Sequence, residues 1–151
     1  MHAIPFYMHT ALELPASLNF FLHPLQQLLP PISSGSNSTL SLAPSASIVV
    51  RQYALLLFVS CCVSLTFAVR PHHDNTTRRG AGALALYHLG PLARAISRLG
   101  NGESPFEGGL GGPAVHAVGH GMCFVALLAV CVGPSVDAGG EPNAVAAKKG
   151  K

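Results

Sequence analysis

The sequence predicts an all-α integral membrane protein with two membrane-spanning helices and a short amphipathic helix between them. Three observations lead there. Charged residues make up 10% of the 151 residues and hydrophobic ones 49%, with a mean hydropathy of +0.42. Ordinary soluble domains carry roughly 25% charge, because a wet surface needs it. The apolar residues are blocked rather than spread, and two blocks, 48–69 and 113–136, are long enough as helices to cross a hydrocarbon core of about 30 Å.

Residues 1–47 lack a clear period. Pro15, Pro24, Pro30 and Pro31 cut the leader into pieces too short for a stable helix, and the stretch after them is rich in Ser and Pro. A disordered, low-complexity leader is expected. Residues 48–69 contain YALLLFVSCCVSLTFAV, flanked by Arg51 and Arg70. Nine Leu, Val and Phe residues in that run favour insertion by roughly 3–5 kcal/mol before its Ser and Thr are counted. It reads as a transmembrane or signal-anchor helix. Residues 70–112 form a polar loop carrying an amphipathic helix over 81–99, with Ala85, Leu89, Leu92, Ile96 and Leu99 on one face. Gly90-Pro91 is expected to kink or restart it. Residues 113–136 hold no formal charge and read as the second span. Residues 137–151 read as a disordered basic tail.

Charge placement leaves two topologies open. Arg70, Arg78 and Arg79 favour a cytosolic loop after the first span, and the tail lysines favour a cytosolic tail after the second. Two retained spans cannot satisfy both. Cleavage after Ala68, with small residues at Thr66 and Ala68, leaves one span. A two-span hairpin with a weak charge violation ranks slightly ahead.

His116, His120 and Cys123 share one stripe of a helix, and imidazole and thiolate are ligands for zinc or copper. The simpler reading of the stripe is a helix–helix face, since no carboxylate stands beside it in sequence. Further ligands would have to come from His88 or from His72 and His73. Asn37 and Asn75 begin N-x-Ser/Thr acceptors, of use only in a lumenal segment. Lys148 and Lys149 resemble the dilysine retrieval signal of endoplasmic-reticulum membrane proteins.

No catalytic constellation stands out. Serines lack a nucleophile elbow, glycine-rich stretches lack a phosphate-loop lysine, and the carboxylates are dispersed. A net charge of +3 without aromatic interleaving excludes nucleic acid as the natural partner. The cysteines sit inside apolar runs, which argues against a disulfide scaffold. Tyr87 to Ala93, YHLGPLA, is similar to a short stretch that begins a span in choline transporter-like proteins, with Pro91 in place of their Ser. The resemblance covers seven residues and implies a helix start at a membrane boundary; no site residues carry over from it.

The sequence therefore points to a non-enzymatic membrane adaptor or subunit without a cofactor. Its partners would be the lipid bilayer and other membrane helices, in the endoplasmic reticulum or secretory pathway. The alternatives are a membrane protein binding zinc, copper or haem through His116 and His120, and a fragment or spurious translation product without evolved function.

Overall fold

A computed structural model describes residues 3–27, 44–107 and 111–134. The described residues form four α-helices: α1 (Ile4–Leu22), α2 (Pro44–Ala68), α3 (Asn75–Gly100) and α4 (Gly112–Val132), with a 3-10 turn at Pro24–Gln27. The all-α expectation holds. Helices α2 and α4 are long and apolar enough to cross a membrane. Residues 28–43, including Asn37, lie outside the described residues, as does the 137–151 tail with Lys148 and Lys149.

Residues 4–22, expected to be unstructured, form α1. Pro5 sits at its first turn, where no amide partner is lost, and the helix continues through Pro15. The missing Pro15 hydrogen bond is outweighed by packing on α2. The Ser17 hydroxyl donates to the Ala54 carbonyl at 2.9 Å, and the Ser64 hydroxyl donates to the Phe6 carbonyl at 2.8 Å. These bonds run α1 and α2 antiparallel.

Helix α3 begins at Asn75, earlier than the expected 81, because Asp74 caps it. Its carboxylate accepts from the Thr77 amide and the Thr77 hydroxyl, both at 2.8 Å. Those two donors, with Arg70 at 2.7 Å, hold the exposed Asp74 carboxyl below the usual carboxylate range. The expected restart at Gly90-Pro91 does not occur; α3 runs unbroken to Gly100. It lies antiparallel to α4, with the Arg78 Nε donating to the Cys131 carbonyl at 2.9 Å. Gly82 permits this approach, since a Cβ there would stand 2.8 Å from the Cys131 sulfur. Helix α4 starts from Gly111 and Gly112, both at positive φ.

The buried positions repeat every three or four residues, the seam of a helix bundle. They are Phe6, His9, Glu13 and Ser17 on α1, and Ala54, Leu57, Cys61, Ser64 and Ala68 on α2. On α3 the seam holds Ala81, Leu84, Ala85 and His88; on α4 it holds His120, Cys123, Leu127 and Val130. Much of this interior is small or polar, while Leu55, Leu56, Phe58, Val59, Leu86, Val118 and Val125 face outward. The apolar face expected on α3 is not the one the bundle buries: Leu89 and Ile96 are exposed, and His88 and Ala95 are buried. The described cysteines are all free thiols. One end of the bundle, at Arg70, is filled by Phe6, Leu84, Leu127 and Val130 with Phe67 and Phe124 packed on them.

Candidate metal centre

Four seams converge at mid-bundle, and each brings polar groups. Helix α1 contributes His9 and Glu13, one turn apart. Helix α3 contributes His88, α4 contributes His120, and α2 contributes Ser60. Exposure is 0% for His9, 2% for Glu13, 0% for His88 and 6% for His120, so the centre is dry.

The histidines are bonded in series. His9 Nε2 lies 3.2 Å from Ser60 Oγ, His9 Nδ1 lies 2.9 Å from His88 Nε2, and His88 Nδ1 lies 2.9 Å from His120 Nδ1. The protons on a neutral chain follow from one fixed point. The Ser60 hydroxyl donates to the Leu57 carbonyl at 2.7 Å, so its oxygen accepts from His9. His9 then carries its proton on Nε2 and accepts at Nδ1 from His88 Nε2–H. His88 in turn accepts at Nδ1 from His120 Nδ1–H. This assignment rests on the bonding network, as tautomers generally do.

Glu13 is the group the network leaves over. Its Oε1 is 3.5 Å from His120 Nδ1 and 3.7 Å from His88 Nδ1, and it has no hydrogen-bond partner among the described residues. The Tyr87 hydroxyl lies toward Glu13 without a hydrogen bond of good geometry. A carboxylate desolvated without a donor is costly unless a proton or a cation neutralises it. The ligand atoms of His9, Glu13 and His88 all lie within 4.8 Å of one another. A tetrahedral ion with bonds of about 2.1 Å needs ligand atoms roughly 3.4 Å apart, so modest side-chain rotation closes the group on a metal. His120 Nδ1 stands beside this group, 2.9 Å from His88 Nδ1 and 3.5 Å from Glu13 Oε1. Ser60 would hold the far nitrogen of His9, the outer contact that orients a ligating imidazole.

The expectation of a chain without a cofactor is corrected by this buried cluster. The stripe His116, His120 and Cys123 does form on α4, but only His120 joins the histidine chain. His116 is half-buried and stacks on His120 with ring centroids 6.0 Å apart, and Cys123 is buried on the same helix. The further ligand sought from the loop is His88; His73 instead faces the Pro134 carbonyl at 3.3 Å. Asn75 is exposed in the first turn of α3. His9 and Glu13 were hidden by the reading of residues 1–47 as a leader. The signal for them is the spacing of Phe6, His9 and Glu13 at three and four residues.

No protein-family model matches the chain, and comparison with curated proteins and with solved structures finds no match in either. The site's own chemistry is what bears on function.

Proposed function

We propose that this chain is a membrane-embedded four-helix bundle that holds one divalent transition-metal ion at His9, Glu13 and His88, with His120 as fourth ligand. The observation that carries the reading is the buried group itself: two imidazoles and a carboxylate whose Oε1 has no hydrogen-bond partner, with ligand atoms within 4.8 Å. A purely structural adaptor, which the sequence favours, gives no reason to bury Glu13 among three histidines. Nitrogen and oxygen donors in a near-tetrahedral set suit zinc. Four protein ligands leave no open position, which fits metal storage or passage better than hydrolysis. Haem does not fit: direct contacts of 2.9 Å between the histidines leave no width for a porphyrin between axial ligands.

Membrane embedding is supported by the inverted distribution of side chains. Only 22% of the α2 apolar window and 17% of the α4 window are buried in the bundle. Water would meet contiguous Leu, Val and Phe on the outside, which soluble monomers avoid. At 1.5 Å per residue, the 19 residues of α1 and 26 of α3 reach about 28 Å and 39 Å, long enough to accompany α2 and α4, which among the described helices are the two also apolar enough to cross. Four crossings also remove the charge conflict. With α3 crossing between α2 and α4, the loop bearing Arg70 and the lysine tail leave the membrane on the same side, as the positive-inside rule asks.

Metal analysis of the purified full chain tests the reading. Wild type is expected to carry about one zinc per chain, and His9→Ala with His88→Ala to carry almost none. Equal metal in both proteins rules the site out.

A further inference from the structure

We propose that the metal ion reaches this centre from the end of the bundle that carries Glu107, passing His116 on its way to His120. The inference rests on the metal reading above and adds its access route.

The two ends of the bundle differ. Toward Arg70, the space beyond the centre is filled by Phe6, Leu84, Leu127 and Val130. Past that plug stand Arg70, Arg78 and Arg79, whose charge repels a cation. The buried residues of the plug are all apolar, so a dehydrated divalent ion finds no donor among them, while His72, His73 and Asp74, the last paired with Arg70, stand outside it.

The other end offers donors, in a mixed field where Arg98 is paired with Glu103 at 2.6 Å and Arg94 and Glu107 also stand. His116 lies one turn above His120 on α4, with ring planes 15° apart and centroids 6.0 Å apart. His116 is half-buried where His120 is buried, so the pair forms a step from the rim to the interior. One turn above His116, Gly112 has φ 75°, and a Cβ there would meet the Phe106 carbonyl carbon at 2.7 Å and the Glu107 nitrogen at 2.9 Å. The Ala114 amide also donates to the Pro105 carbonyl at 2.9 Å. The backbone of Pro105–Glu107 is therefore pinned against the first turn of α4. This sets the exposed Glu107 at the rim, where its charge offsets the positive end of the α4 dipole. A cation meets a carboxylate, then a half-buried imidazole, then the buried set. Each step replaces lost water with a protein donor.

Loading kinetics test the route, with Co²⁺ alone as the probe and the full chain in detergent. His116→Gln is expected to load about tenfold more slowly than wild type, while its final cobalt content and absorption spectrum stay unchanged. Glu107→Gln is expected to slow loading at low salt and to match wild type at high salt. Arg79→Gln, at the plugged end, is expected to load at the wild-type rate. Wild-type loading by His116→Gln overturns the route, and so does an altered final spectrum, which would make His116 a ligand of the finished centre. A wild-type chain that takes up no Co²⁺ overturns the metal reading and the route together.

Discussion

Glu13 is the residue on which stability and function pull apart. In a dry seam it lacks a donor on Oε1 and sits beside imidazoles that are occupied with one another. A buried acceptor left without a donor costs about 1–3 kcal/mol, a cost that an apolar group of similar size does not carry. Glu13→Leu is therefore expected to raise the unfolding midpoint of metal-free protein in a chelator. The same variant is expected to lose the stabilisation that zinc gives wild type, which is about 2.7 kcal/mol at one hundred times the dissociation constant. If Glu13→Leu destabilises the metal-free chain and still responds to zinc, the carboxylate serves the fold rather than the ion. Ser60 acts more quietly, because its commitment to the Leu57 carbonyl decides which nitrogen of His9 is protonated.

At the scale of elements, helices were legible where length and apolarity coincide. Helices α2 and α4 follow from uninterrupted apolar runs, and their observed bounds lie within a few residues of those expected. Helix α1 was not legible, because Pro15 and three polar seam residues obscure a run whose stability comes from α2 rather than from propensity. Helix α3 was legible in part. Its Leu and Ile positions showed the amphipathic period, whereas the bundle buries the small residues and His88 and turns Leu86, Leu89 and Ile96 outward. In the centre itself, His120 was visible from helical spacing, whereas Glu13 was not, because it arrives from a helix distant in the chain. Close approach of α3 and α4 depends on Gly82. A methyl group there meets the Cys131 sulfur at 2.8 Å, so Gly82→Ala is expected to cost about 1–3 kcal/mol of unfolding free energy in a detergent titration. An unchanged midpoint would show that the pair has slack.

For the whole molecule, the governing feature is a seam of small and polar side chains beneath large apolar side chains that face outward. The charge conflict that two spans could not resolve dissolves when α1 and α3 cross as well. The proposed four crossings would put Asn37 and Asn75 on opposite sides of the membrane. With Arg70, Arg78, Arg79 and the tail lysines in the cytosol, glycosylation is expected at Asn37 and absent at Asn75. Modification of Asn75, or of both, would contradict this topology. The central claim is the ion held by His9, Glu13 and His88, and zinc K-edge X-ray absorption of the purified chain addresses it most directly. A shell of nitrogen and oxygen at about 2.0–2.1 Å with imidazole scattering is expected. A sulfur shell near about 2.3 Å, which would assign the ion to Cys61 or Cys123, or the absence of bound zinc, would contradict it.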